Sequence, residues 1–272
     1  DKLVALLAVS ALLASCSESE LWQNPQTEAR DGYIMLNFKT EIPAMQEVVT
    51  RAVDPDGGGV QDMTLFCFDS YGLFISTVKA GVTVQKPGPG EMEGTFKAEV
   101  PENTRTIHFL ANQNMDEFKE DSFRNKSESE VMAVLEGSSG RMIYWGRFAC
   151  DAGNDSNIAE QMATSGNSVK LIRNHARISV DNPDNNGHIV ITGFAVCNTN
   201  AFGTVAPHHP KKGFDFTWPS SDDPFVTLPV NDAKMSDITD VTSSMNQYVF
   251  ECENSADAPV SVILRGHLPD QD

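Results

Sequence analysis

Residues 60–78 read VQDMTLFCFDSYGLFISTV, and this stretch decides the fold class. Segments 63–68 and 73–78 are short runs rich in β-branched and aromatic residues, each bounded by polar residues. Runs of that length and composition predict strands rather than helices. Between them Asp69-Ser70-Tyr71-Gly72 supplies a turn, with Gly72 able to take a positive φ. The two runs therefore predict a β-hairpin.

The same pattern continues outward. Upstream, residues 33–39 read YIMLNFK, which places Ile34, Leu36 and Phe38 on one face of a strand. A polar, glycine-rich loop over 46–59 separates this strand from the hairpin. Downstream, runs at 82–84 and 94–100 flank the turn cluster KPGPG at 86–90, and further strands are expected at 104–110 and 142–148. From 168 onward the pattern renews, with short β runs at 169–172, 177–180, 188–197, 226–230, 248–252 and 260–264. One helix is expected. Ser127 and Glu130 form a capping box, Val131, Met132 and Leu135 make an apolar stripe, and Gly137 suits the C-terminal cap. Many short strands with turn clusters between them predict an all-β chain built from sandwiches. We read a first sandwich over 31–168 and a second over 169–272. The second is expected to be incomplete, because the sequence stops directly after a strand.

Composition narrows the partners. The chain has 272 residues and a formal net charge of -18, which opposes phosphate backbones and anionic lipid surfaces. No nucleic-acid partner is expected. A hydrophobic fraction of 40% supports a folded chain over an acidic disordered one.

At the N-terminus, residues 3–16 read LVALLAVSALLASC. This apolar run is far shorter than the roughly 20 residues that a membrane-spanning helix needs. It ends in Leu13-Ala14-Ser15-Cys16, the pattern of a bacterial lipobox, so residues 1–16 read as a lipoprotein signal peptide with Cys16 as the lipidated residue. Residues 17–30 are polar and read as a flexible tether.

The remaining cysteines, Cys67, Cys150, Cys197 and Cys252, form no CxxC pair. Three sit in strand-like runs and read as buried thiols, and any disulfide pairing stays open. No catalytic constellation is visible. Gly137-Ser138-Ser139-Gly140 lacks the nucleophile-elbow spacing, and the glycine clusters match neither a P-loop nor a dinucleotide fingerprint. His208 and His209 are neighbours, so in extended backbone they point to opposite faces and suit one metal poorly. Asn182, Asp184 and Asn186 half-match a calcium loop, but Gly193 stands where the closing acid belongs. No enzyme activity, metal or cofactor is expected. Trp22, Trp145 and Trp218 are the candidates for sugar platforms.

Several segments in order resemble one family, the type V fimbrillins of Bacteroidota. They are the lipobox at Cys16, the strand YIMLNFKT at 33–40, and Thr50-Arg51-Ala52 as a basic cleavage site. They continue with VQDMTLFCFDSYGLFI at 60–75, FLANQN at 109–114 and SVKLIRNHARISV at 168–180. ITGFAVCNTNAFGTVAP at 191–207 and YVFECENSADAPVSVILRGHL at 248–268 complete the series. Ser17-Glu18-Ser19-Glu20 also resembles the surface-export signal that follows the lipidated cysteine in this phylum.

The resemblance implies two tandem transthyretin-like (Greek-key) β-sandwiches. It implies a precursor anchored through lipid in the outer membrane, cut by an arginine-specific protease between Arg51 and Ala52. Loss of the first strand, with Ile34, Leu36 and Phe38, then opens a groove that another fimbrial subunit fills. The expected product is a cell-surface fimbrium serving adhesion to a host or bacterial receptor. Arg30 is a rival cleavage site, but a cut there spares the first strand. Two alternatives stay within the family, a tip adhesin and a lipid-retained anchor. A third lies outside it, a surface glycan-binding lipoprotein.

Overall fold

The computed structural model describes residues 29–42, 59–86, 93–116, 118–138, 141–180, 189–208, 225–231 and 246–268. Strands β1 (Tyr33–Glu41), β2 (Met63–Phe68), β3 (Phe74–Lys79), β4 (Gly81–Lys86), β5 (Glu93–Pro101) and β6 (Thr106–Ala111) come first. Helix α1 (Glu128–Met132), β7 (Glu136–Ser138), β8 (Tyr144–Ala149), helix α2 (Ile158–Thr164), β9 (Ser168–Lys170) and β10 (Ile172–Arg173) follow. The chain continues through β11 (His175–Ser179), β12 (Val190–Cys197), β13 (Phe202–Thr204), β14 (Asn246–Phe250) and β15 (Ser261–His267). The architecture is the all-β sandwich type that the strand pattern predicts.

A four-stranded sheet, ordered β4-β5-β1-β9, faces a five-stranded sheet, ordered β10-β8-β6-β2-β3. Their shared core holds Leu36 and Phe38 of β1, Phe96 and Val100 of β5, Leu65 of β2, and Phe109 of β6. The expected hairpin is present. β2 and β3 pair antiparallel, Gly72 has φ 74°, and the Asp69 carboxylate accepts from the amides of Tyr71 (2.8 Å) and Leu73 (3.0 Å).

All six residues of β2 are buried, and so are all six of β6. The reason is a second apolar layer on the outer face of the five-stranded sheet. Leu65 and Cys67 point into the sandwich, while Phe66 and Phe68 join Phe123, Val131, Trp145 and Phe225 on the other side. An unbroken apolar run such as MTLFCF is what a strand covered on both faces requires.

Several features differ from the sequence expectation. The β run expected at 226–230 forms no strand, and Val230 makes an isolated bridge to Glu253. The capping box at Ser127 is present, but α1 stops at Met132 and does not run on to Gly137. Gly137 lies in β7, paired with β13, where a Cβ would collide with the Asn174 side-chain nitrogen. A second short helix, α2, opens on a reciprocal box between Asn157 and Glu160 and buries Ile158 and Met162 in the sandwich core. Residues 168–173 complete the first sandwich instead of opening the second. β9 pairs with β1 and β10 with β8, and the next strand, β11, starts at His175 and pairs with β14 outside these two sheets.

Beyond that point β11 pairs with β14 and β12 with β15. The Gln247 side chain links them, donating to the Phe194 carbonyl (2.8 Å) and accepting from the Val196 amide (2.9 Å). Val205, Ala206, Phe225 and Val226 come from this later part and cover the outer layer of the five-stranded sheet.

A buried polar cluster sits under that cover. His108 on β6 accepts from the Trp145 indole at Nδ1 (3.0 Å) and meets the Glu128 carboxylate at Nε2 (2.7 Å). An indole N–H only donates, so the imidazole proton is on Nε2 and the ring is neutral. Arg147 Nε donates to the same carboxylate (2.6 Å). Burial holds His108 below its ordinary value of 6.5 despite the neighbouring carboxylate. Burial alone would raise Glu128, but hydrogen bonds from His108 and Arg147 outweigh it and hold the group at about 2.

Folded His108 resists the proton that the unfolded chain takes up below 6.5, so its contribution is complete above that pH and declines below it. The urea midpoint should fall between about pH 7 and about pH 5. His108→Gln should flatten part of that fall. The remainder belongs in part to His175, which burial lowers to about 4. Equal slopes in the two proteins would contradict this account.

Candidate functional site

β1 occupies an interior position in its sheet. It pairs antiparallel with β5 from Tyr33↔Pro101 to Thr40↔Gly94, and parallel with β9 over Lys39–Glu41. Its burial alternates, with Ile34, Leu36, Phe38, Thr40 and Ile42 turned inward. The period-2 reading of this strand is therefore correct in placement.

The inward row opposes an equally apolar row on β5: Ile34 faces Val100, Leu36 faces Ala98, and Phe38 faces Phe96. Phe38 is fully buried and touches both sheets. Its ring lies 5.5 Å from Phe96 on the neighbouring strand and 5.0 Å, edge-on, from Phe109 on the opposite sheet. Each buried side chain of this kind contributes roughly 1.5–3 kcal/mol. Thr40 interrupts the row. It is fully buried, and its hydroxyl finds no hydrogen-bond partner among the described residues. Gly94 stands opposite it, because a side chain there would strike the Phe96 ring.

The chain is held on both sides of residues 43–58. Upstream, β1 is locked into its sheet, and Arg30 pairs with Glu99 through Nε (2.7 Å) with its guanidinium 4.2 Å from the centre of the Tyr33 ring. A cut at Arg30 would leave β1 in place, since the strand starts at Tyr33. Downstream, Asn112 clamps the start of the next segment. Its side chain accepts from the Gln61 amide (2.7 Å) and donates to the carbonyls of Gly59 (2.7 Å) and Met142 (3.1 Å). Asn112 has φ 64°, a left-handed conformation that asparagine tolerates better than most residues. Sequence reading missed this role. The clue available was an asparagine directly after the apolar run of β6.

Arg51 and Ala52 lie outside the described residues, as do Cys16 and residues 17–28. The segment that contains Arg51 runs from the end of a four-stranded-sheet strand to the start of a five-stranded-sheet strand. Its two flanks are anchored independently.

No family model matches the chain, and no curated protein matches it. Its fold is similar to known fimbrial proteins. One is a fimbrial assembly protein from Parabacteroides distasonis, with 14% identity, 88% of this chain and 84% of that chain covered, and a TM-score of 0.44. Another is the tip fimbrial protein Mfa3 from Porphyromonas gingivalis, with a C-terminal truncation, at 15% identity, 82% and 71% coverage, and a TM-score of 0.45.

Cys67, Cys150, Cys197 and Cys252 are free thiols, and burial pushes Cys67 up to about 12. Trp145 is fully buried against His108, so it offers no sugar platform; Trp22 and Trp218 lie outside the described residues. His208 Nδ1 donates to the Val226 carbonyl (2.5 Å), and His209 is outside the described residues, as is the loop with Asn182, Asp184 and Asn186. Among the described residues, no three His, Cys, Asp or Glu side chains group as a metal site.

Phe38→Ala should destabilise the first sandwich by about 3–5 kcal/mol, read from urea unfolding. Leu36→Asp should cost as much or more, because it buries an unpaired charge. Tyr33→Ala, at the exposed start of the strand, should stay within about 1 kcal/mol. Similar midpoints for all three would show that β1 is not held as described.

Proposed function

We propose that this chain is a structural subunit of a cell-surface fimbrium. It is exported as a lipoprotein through Cys16, held at the outer membrane, cut after Arg51 and polymerised by strand exchange with other subunits. The observation that carries this reading is the position of β1. It is a buried interior strand, yet it leads into the rest of the described chain through residues 43–58. One cut in that segment separates β1 covalently and leaves every later strand connected. Loss of β1 would expose the apolar row of β5 and a line of unpaired backbone groups, a surface that a strand from another chain fits. The ordered sequence segments described above support the same reading. The two sandwich domains would supply the rigid body of the subunit, with the second beginning near His175.

N-terminal sequencing of protein sheared from cells tests this directly. A start at Ala52 is the expected result, and Arg51→Ala should abolish both that terminus and fibre formation. Recovery solely of lipid-modified protein beginning at Cys16 would overturn the reading and point to an anchor.

A further inference from the structure

The slot that β1 fills has a defect, and the defect lies in β1 itself. Four of the five inward positions carry apolar side chains: Ile34, Leu36, Phe38 and Ile42. The fifth, Thr40, has the same orientation and is just as buried. Its Oγ1 is sealed from solvent and makes no hydrogen bond to any described residue. The facing residue, Gly94, has no side chain that could meet it, and a Cβ built there would lie against the Phe96 ring and 3.2 Å from the Thr40 hydroxyl. A buried hydroxyl without a partner loses its bonds to water and gains nothing in return. Valine has nearly the shape of threonine and carries no such group.

Among the described residues, β1 has two neighbours along only part of its length. β9 runs beside it over Lys39–Glu41, which leaves the larger part of the strand, from Tyr33 to Phe38, paired through β5. The resident strand is thus well packed around Phe38 and poorly satisfied at Thr40.

We infer that the slot is built for a strand of another subunit that runs antiparallel to β5 and carries an aliphatic residue where β1 carries Thr40, so that β1 is a placeholder that a matching strand replaces downhill. This rests on the strand-exchange reading and adds its direction and its selectivity. The occupant is identified by chemistry. It is an extended segment with alternate apolar residues, an aromatic at the Phe38 register and a β-branched aliphatic two positions later. Polar residues at that last register, including serine, should be discriminated against.

The test uses the full chain with a site-specific protease sequence in place of residues 53–58, nicked after folding so that β1 is held without a covalent link. Labelled peptides are then exchanged into the slot. One has the native sequence of residues 33–42, YIMLNFKTEI, and two others carry Thr40→Val and Thr40→Ser. The Thr40→Val peptide should occupy the slot about tenfold more tightly than the native peptide, with Thr40→Ser no tighter. Native exchange with no gain from valine would overturn the inference and leave strand exchange standing. Failure of all three peptides to enter would overturn strand exchange, and this inference with it. In the uncut chain, Thr40→Val should raise the urea midpoint. A crystal structure with an ordered water bonded to the Thr40 hydroxyl would count against the defect itself.

Discussion

The first sandwich depends on one residue that joins its two sheets from a strand near the start of the chain. Phe38 stacks on Phe96 within the four-stranded sheet and meets Phe109 of the five-stranded sheet edge-on. The rings fill the gap between the layers, where apolar burial is strongest and side-chain freedom least. Take β1 away and the sheets lose both an interior strand and the aromatic contact between them. A fold that places so much of its core on an early strand depends on that strand for its stability.

Around this point the structure separates what is held from what connects. Asn112 fixes the chain from Gly59 onward, and β5 with β9 fixes it up to Ile42. Neither anchor relies on the segment between them. The left-handed φ of Asn112 turns its side chain into a clamp on two carbonyls and an amide, and aspartate in its place could not donate to the carbonyls.

The five-stranded sheet plays a different part. It is covered on both faces, and its outer cover includes Val205, Ala206, Phe225 and Val226 from the later part of the chain. The polar cluster of His108, Glu128, Arg147 and Trp145 lies within that cover, with the Phe225 ring stacked 5.7 Å from the imidazole. Each of its short bonds has an assigned donor and acceptor, which is what permits a histidine to sit fully buried. The same assignment makes the site sensitive to acid, because a second imidazole proton would face the indole N–H.

Much of this was legible in the residues. Alternation placed Ile34, Leu36 and Phe38 on one face, the Asp69–Gly72 turn marked the hairpin, and Ser127 with Glu130 marked the start of α1. These are local effects, decided within a few residues by side-chain direction, turn chemistry and capping. Other features needed the tertiary fold. The strand at Gly137 needs β13 as its partner, and the Asn174 side chain leaves no room for a Cβ there. The membership of residues 168–173 depends on which earlier strands lie alongside, and a strand's own sequence does not name its partner. The short α2 helix carries too few residues to show a period. The buried state of Trp145 depends on a layer supplied by residues far along the chain. The sequence by itself determined that the chain is β and where its first strand turns its apolar face. The tertiary structure alone decided that this strand lies between β5 and β9 and that no described residue bonds the Thr40 hydroxyl there, because pairing and hydrogen-bond satisfaction are properties of neighbours brought together from a distance.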